Sequence, residues 1–298
     1  VARYLVTGGA GFIGSHLVDA LLAAEHSVLV LDDFSTGKAE NLAPGVQVLQ
    51  GDVADPSVVR AAMAGMDGCF HLAAIASVAR SNEDWLGTHR VNLGGTIAVL
   101  DAARRERCIP VVYASSAAVY GDVGDKVAHE GMPPRPLTAY GADKLGSELH
   151  AAVAHQVHGV SSVGLRFFNV YGPRQDPQSP YSGVISVFAR RVAEGLGLTV
   201  HGDGQQTRDF VFVADVVAHL RAAMRRVGEH GGAGVFNVCT GRATSILELA
   251  SQLGAPTIER GPARPGDIRH SRGDPWMAVS MLGVQAETQL ADGLVTLL

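Results

Sequence analysis

The sequence predicts a doubly wound, parallel α/β sheet, on three observations. Through the first 168 residues, short apolar runs alternate with stretches of helical periodicity, with little padding between them. The opening run Tyr4-Leu5-Val6-Thr7-Gly8-Gly9-Ala10-Gly11-Phe12-Ile13-Gly14 passes from a strand through a glycine turn into a helix on which Leu17, Leu21 and Leu22 recur. The polar and glycine-rich landmarks all follow a strand: the glycine loop, Asp32, Asp52, His71-Leu72-Ala73-Ala74, Ser115-Ser116 and Asn169. Ligands of open parallel sheets gather beyond the carboxyl ends of the strands, so this placement is what a Rossmann-type sheet requires.

The first βαβ unit points to a dinucleotide. Glycines 9, 11 and 14 fit the dinucleotide fingerprint, and glycines 8, 11 and 14 fit its wider-spaced variant. The turn must be tight, the backbone must approach a pyrophosphate, and the helix must aim its free N–H groups at that anion. The second strand, Val28–Leu31, ends in Asp32-Asp33, and Asp32 lies 18 residues past Gly14. A carboxylate there accepts from an adenosine ribose and repels a 2′-phosphate, which predicts NAD rather than NADP.

The remaining elements follow in order. Strands are expected at Val46–Leu49, Gly68–Leu72, Pro110–Ala114 and Ser162–Phe168. Helices are expected near Ser57–Ala64, around Glu83–Arg105 as one long amphipathic segment, and over Thr138–Val157 after a Gly/Pro-rich loop from Gly121 to Pro136. From Asn169 the pattern loosens, and the Pro-containing stretch Gly172–Gly183 reads as a loop over the site. A smaller C-terminal α/β substrate lobe, 169–298, is expected, with helices near Val184–Glu194 and Val213–Arg226 and strands at Leu198–His201 and Val235–Cys239. Residues 213–240 are expected to pack back on the first domain, 1–168. Ser245 with Glu248 forms a capping box, and a last helix is expected to end at Leu297-Leu298.

Composition narrows the function classes. A net charge of −5 argues against a polyanionic nucleic acid as partner. No apolar run reaches the ~18 residues that a membrane span needs. Val1 leads straight into the first strand, so no signal peptide is expected, and the setting is expected to be cytoplasmic. Cys69, Cys108 and Cys239 are odd in number and sit in apparent strand contexts, which fits buried thiols in a reducing compartment.

The chemistry centres on Tyr140-Gly-Ala-Asp-Lys144 at the start of a helix. Residues i and i+4 share a helical face, so the phenol and the ammonium point into one space. Positive charge from Lys144 and an oxidised nicotinamide favours the phenolate, which is expected to lower the tyrosine's pKa and give a general base near neutral pH. Ser116, at a strand tip, is placed to hydrogen-bond the same substrate hydroxyl. No metal site is expected. His150, His155 and His158 share a helix but lack a carboxylate or Cys at ligand spacing. Trp85 reads as packing, and His129-Glu130 as solvent-exposed.

Across nearly its whole length the chain resembles the extended short-chain dehydrogenase/reductases, specifically the nucleotide-sugar 4-epimerases of the UDP-galactose/UDP-N-acetylglucosamine type. The motifs are TGGAGFIGSHL, HLAA, YASSAAVYG, YGADK, RFFNVYGPRQ, QTRDFVFVADVV and RPGD. The resemblance implies Ser116 and Tyr140 as acid/base residues and Lys144 as tuner and ribose binder. It places Gly8, Gly11, Phe12, Ile13, Gly14, Asp32, Asp33, Asp52, Val53, Leu72, Ala73, Ala74 and Asn92 around NAD. It implies a UDP-sugar site at Ser116, Asn169, Arg208, Arg264 and Asp267, with His201 near the uracil and Ser271 walling the pocket beside the sugar's C2 substituent. Guanidinium groups suit a diphosphate by their charge and fork geometry.

Dehydratases that the chain resembles carry an Asp-Glu pair before Val-Tyr-Gly; here Ala117-Ala118 stand there, and a methyl group cannot act as an acid. The resemblance therefore implies reversible inversion at C4 of a UDP-hexose, with UDP-glucuronate 4-epimerization and 4-keto-sugar reduction as neighbouring readings. A dinucleotide-sensing role is the rival of another class. The helices near 90–105 and 140–157 are amphipathic, and the resemblance implies that they pair into a two-fold four-helix bundle, giving a homodimer.

Overall fold

The computed structural model describes residues 1–177, 183–263 and 268–298. In the first half, β1 (Arg3–Thr7), α1 (Phe12–Ala23), β2 (Ser27–Asp32), β3 (Gln47–Gln50), α2 (Pro56–Met63) and β4 (Gly68–His71) are followed by α3 (Val78–Glu83), α4 (Trp85–His89) and α5 (Gly95–Arg105). Then come β5 (Val111–Ser116), α6 (Ala139–His158) and β6 (Ser162–Phe167). The second half holds β7 (Asn169–Tyr171), α7 (Val184–Ala193), β8 (Leu198–His201), β9 (Thr207–Arg208), β10 (Phe210–Phe212) and α8 (Val213–His230). It ends with β11 (Ala233–Val238), β12 (Thr244–Ser245), α9 (Ile246–Gln252), β13 (Ile258–Gly261), α10 (Trp276–Leu282) and α11 (Leu290–Val295).

Seven of these strands form one parallel sheet in the order β11-β6-β5-β4-β1-β2-β3. The order reverses at β1, so β1 and β4 flank the crevice where a Rossmann-type sheet takes its ligand. The apolar runs of the central strands are buried on both faces, as in β4, where every residue is buried. Two clusters cover the two faces. One joins Val6, Leu17, Val30 and Phe70 to Leu220 and Met224 of α8, and the other joins Leu5, Leu31 and Cys69 to Val99 and Ala103 of α5. A third cluster, built on Tyr171, Ile185, Phe188, Leu198 and Leu249, lies in the C-terminal half. Helix α8 packs on α1, β5 and β6.

Most element boundaries fall within a few residues of the expected ones. The exception is the single long helix expected over 83–105. Asp84 interrupts it: its carboxylate accepts from Gly87 N at 3.0 Å and caps a new helix, α4. A π-helical turn, Arg90–Gly94, follows before α5 begins. That turn places Asn92 inward, where it accepts from Ile75 N at 2.8 Å and donates to Ile75 O at 3.2 Å. Cys108 lies not in a strand but in a turn at φ 56, while Cys69 and Cys239 are buried free thiols. The final helix ends at Val295, short of Leu297.

Candidate active site

The glycine loop shows which spacing the turn uses. Gly8 sits at φ +69, and a Cβ on it would lie 2.7 Å from Ala73 N; a Cβ on Gly14 would overlap the Gly8 carbonyl oxygen. Glycines 8, 11 and 14 therefore make the turn, and Gly9 packs against Val30 instead. Helix α1 starts at Phe12 without a side-chain cap, so its first N–H groups are free to face an anion.

Asp32 closes the far end of the cradle. Its carboxylate accepts from Ala10 N at 2.9 Å and from Phe34 N at 2.9 Å. Burial raises its pKa, and these two amides oppose the shift. The 33–37 turn wraps it so closely that a Cβ at Gly37 would lie 2.8 Å from Asp32 Oδ1. An anionic 2′-phosphate would meet a buried carboxylate there, whereas a ribose hydroxyl could donate to its remaining lone pairs. Asp33 borders the same cavity and accepts from Ser35 N at 2.9 Å.

The cavity over these strand ends has a volume of about 590 Å³. Its lining includes Gly8, Gly11, Phe12, Ile13, Gly14, Asp32, Asp33, Val53, Leu72, Ala73 and Ala74 on the dinucleotide side. Ser116, Tyr140, Lys144 and Asn169 border it on the other side. Asp52 and Asn92 act from behind. Asp52 pairs with Arg90 at 2.7 Å and accepts from Ala54 N, and Asn92 clamps Ile75. The 34–37 turn, Ile75, Ala76, Arg80 and Gln175 also reach the cavity. Sequence reasoning assigned none of these a role, although Gln175 ends the RFFNVYGPRQ motif; they arrive through segments whose course is set by tertiary contacts.

The Ser116, Tyr140 and Lys144 side chains come from two elements. The tip of β5 carries Ser116, whose oxygen accepts from Ala118 N at 3.1 Å, leaving its O–H to donate. Thr138 caps α6 by accepting from Gly141 N at 3.1 Å, which fixes the start of the helix and brings Tyr140 and Lys144 to the cavity. Lys144 Nζ lies 5.8 Å from the Tyr140 ring centroid and donates to Ala114 O at 2.9 Å. Burial pushes the lysine's pKa down to about 8, with the Asp143 carboxylate opposing. The expected lowering of the Tyr140 pKa is not a property of the protein alone. Burial raises it, and a hydrogen bond from Ser116 works against that rise. The cationic nicotinamide of NAD is the further charge that would favour the phenolate.

Beneath the site runs a buried chain through His71. Ala73 N donates to Thr7 Oγ1 at 3.2 Å, Thr7 Oγ1 lies 2.8 Å from His71 Nδ1, and His71 Nε2 lies 3.1 Å from Thr96 Oγ1. Thr96 donates to Asn92 O at 2.7 Å, so consistent donor roles make His71 neutral with its proton on Nε2. Burial, and then the charge of Lys144, push its pKa down to about 3.

On the remaining substrate-side residues the structure is more divided. Arg264 and Asp267 lie outside the described residues. His201, Arg208 and Ser271 are not among the residues lining the cavity. His201 Nδ1 lies 3.0 Å from Pro262 O. Arg208 Nη1 donates to Thr207 O and to Ile268 O, both at 2.8 Å. Ser271 N donates to Thr207 O at 3.2 Å, which sets Ser271 beside the strand that carries Arg208. Two other expectations are corrected. Trp85 does not pack within the chain, being 69% exposed, and Glu130 is half-buried and accepts from Asn237 N at 2.7 Å. No described helix is long and apolar enough to cross a membrane, and no cluster of metal ligands occurs among the described residues.

Comparison with known proteins accords with this geometry. Residues 4–239 match the model of the NAD dependent epimerase/dehydratase family. The chain is 40% identical to a UDP-glucose 4-epimerase of Mycolicibacterium smegmatis, over 98% of this chain and 96% of that protein. Among solved structures, a UDP-glucose 4-epimerase of Thermotoga maritima with UDP-glucose superposes with TM-score 0.93 at 33% identity, covering 99% of this chain and 96% of that one. A UDP-glucose 4-epimerase of Thermus thermophilus in complex with NAD gives TM-score 0.91 at 37% identity, covering 99% and 97%. Similarity also extends to a dTDP-glucose 4,6-dehydratase of Actinoplanes at 34% identity, over 98% of this chain and 95% of that protein. With its glycine cradle, its buried carboxylate at the end of β2 and its Ser/Tyr/Lys set, the chain belongs to the NAD dependent epimerase/dehydratase family of extended short-chain dehydrogenase/reductases, and its cofactor is NAD.

Proposed function

We propose that the protein is a UDP-hexose 4-epimerase that inverts C4 reversibly through a 4-keto sugar. The observation that carries this reading is a complete Ser116/Tyr140/Lys144 set beside methyl groups at Ala117 and Ala118. The set can move an alcohol's proton while bound NAD would take and return the hydride, and nothing at those two positions can donate the proton that removal of water needs.

When bound, NAD accepts the C4 hydride and gives it back. Tyr140 takes the proton from the C4 hydroxyl as the hydride leaves, with Ser116 donating to the phenolic oxygen and bridging to the substrate. The ammonium of Lys144, held by Ala114 O, stabilises the phenolate and is placed to bond the ribose of the cofactor. The free N–H groups at the start of α1 would hold the cofactor pyrophosphate, and Asp32 would hold its ribose. Asn169 faces the sugar side of the cavity, and a C-terminal substrate lobe, 169–298, supplies Arg208 for the diphosphate and Ser271 for the C2 side of the sugar. The uridine diphosphate is the fixed anchor. The keto sugar turns over within the cavity and takes the hydride back on its other face, and Tyr140 returns the proton.

Ser271 is small, and in this reading it leaves room for an N-acetyl group at C2, so both the UDP-glucose/UDP-galactose and UDP-GlcNAc/UDP-GalNAc pairs are substrates. The working form is a homodimer. Leu149, Val153 and Val157 recur every four residues along α6 and are 61%, 52% and 65% exposed. Leu86 on α4 and Ile97 on α5, helices that pack on α6, are exposed as well, and a second copy would cover these side chains. The direct test is incubation with UDP-glucose without added cofactor. UDP-galactose formation supports the reading; a dehydrated 4-keto-6-deoxy product would refute it.

A further inference from the structure

A line of buried polar side chains runs from Ser115, the neighbour of Ser116, to the far lobe, and the proton-transfer chemistry uses none of its members directly. At the tip of β5, Ser115 donates to Glu148 Oε1 at 2.5 Å. Glu148 is one helical turn beyond Lys144 on α6. Arg166 of β6 grips it with both arms, Nε to Oε1 at 2.8 Å and Nη2 to Oε2 at 2.7 Å. The third guanidinium nitrogen, Nη1, donates to Tyr120 OH at 2.9 Å, and Tyr120 donates to Asn237 Oδ1 at 2.7 Å.

From Asn237 the line reaches the C-terminal strap. Asn237 Nδ2 donates to Ala128 O at 3.0 Å and to Asp274 O at 3.3 Å. Ala128 in turn accepts from Asp274 N and donates to Arg272 O, each at 2.9 Å. Gly273 N donates to Asp209 Oδ2 at 3.2 Å, beside Arg208, and Ser271 N reaches Thr207 O. Ser115, Glu148, Arg166 and Asn237 are all 8% exposed or less.

Burying an ion pair is costly unless each remaining donor and acceptor is satisfied, and removing one partner leaves an uncompensated group. Here every nitrogen of Arg166 and both oxygens of Glu148 have partners. A pair held at every nitrogen and oxygen atom is confined to a narrow range of geometries, so it fixes distances. The distance it sets is that between β5 and α6, the two elements that carry Ser116 and Tyr140. A second tie, Lys144 to Ala114 O, spans the same gap.

We propose that Ser115, Glu148, Arg166, Tyr120 and Asn237 form one brace. Its near end sets Ser116 against Tyr140 and Lys144; its far end seats the 271–274 strap beside Arg208. Alignment of the proton-transfer pair and seating of that strap are therefore coupled. These are positioning residues, and the proposal rests on the epimerase reading given above.

The test breaks the brace at two places that do not touch each other. Tyr120→Phe removes one hydroxyl at its middle, and Ser115→Ala removes one at its near end. Displacement of a reacting pair by about 1 Å costs up to roughly 100-fold in rate. Each variant should lower kcat for UDP-glucose by about tenfold or more, with KM changed less than about threefold. Because one brace serves both, the double variant should be no slower than the slower single variant. Unchanged kcat in both singles, or losses that multiply in the double, would overturn the proposal.

Backbone hydrogen exchange on the NAD-loaded protein supplies a second arm that needs no substrate. Tyr120→Phe should speed exchange at 116–121 and, together with it, at 271–274; acceleration confined to 116–121 would overturn the coupling. Thermal melting checks that each variant is folded, and Ser115→Ala carries both arms alone if Tyr120→Phe is not. A wild-type protein inactive on UDP-glucose would count against the epimerase reading, and the exchange arm would still decide the brace.

Discussion

Replacing Asp32 by Ala should change which dinucleotide the protein prefers, and the size of the change follows from the carboxylate's surroundings. In the native protein Asp32 accepts from Ala10 N and Phe34 N. Charge-assisted bonds of this kind contribute about 1.5–3 kcal/mol each, so losing both loosens the 33–37 turn by about 3–6 kcal/mol, less whatever water recovers by entering. The selectivity effect is separate. At an effective dielectric constant of about 20, unit charges about 4 Å apart repel by roughly 4 kcal/mol. Removing that repulsion from a 2′-phosphate corresponds to about three orders of magnitude in relative affinity. Calorimetric titration of cofactor-stripped protein with NAD and NADP, with melting curves alongside, measures both effects. NAD should bind more weakly to the variant, and its preference over NADP should shrink by about 10²–10³-fold. A folded variant whose preference moves less than about threefold would refute the reasoning and place ribose recognition on another residue.

Tyr140→Phe keeps the ring and removes the ionisable oxygen, so turnover should drop by roughly 10²–10⁴-fold while NAD stays bound; near-normal turnover would remove Tyr140 as the base. Ser271→Tyr should narrow the C2 side of the pocket and suppress the N-acetylated pair by roughly 10–200-fold relative to the UDP-glucose/UDP-galactose pair; equal slowing of both pairs would show that Ser271 does not face the sugar. Light scattering at micromolar concentration should give a dimer mass for the native protein and a monomer mass for Leu149→Glu, whereas a native monomer would discard the paired-helix interface.

Local features were legible in the sequence because their chemistry is local. A glycine that must turn at φ +69, an acidic residue ending the second strand, and a Tyr and a Lys one helical turn apart each carry their own spacing rule. The alternation of buried strands and amphipathic helices was legible for the same reason. What depends on distant contacts was not. Asn92 interrupts regular helix by reaching Ile75, 17 residues away, and Asp84 restarts a helix with a cap that periodicity alone does not reveal. Glu148 and Arg166 read as ordinary charged residues until folding pairs them across α6 and β6. The pKa of Tyr140 needed its burial as well as its charged neighbour. In the C-terminal half, β9 and β12 are two residues each, too short for any period to register.

The central claim is that the C4 hydride leaves the sugar and returns to the same carbon without escaping the site. UDP-glucose deuterated at C4, incubated with the protein in ordinary water and without added cofactor, tests it by mass spectrometry and NMR. The UDP-galactose formed should keep its deuterium at C4 and gain none of the solvent's hydrogen there. UDP-galactose with protium at C4, or consumption of substrate with stoichiometric release of reduced NAD, would contradict it.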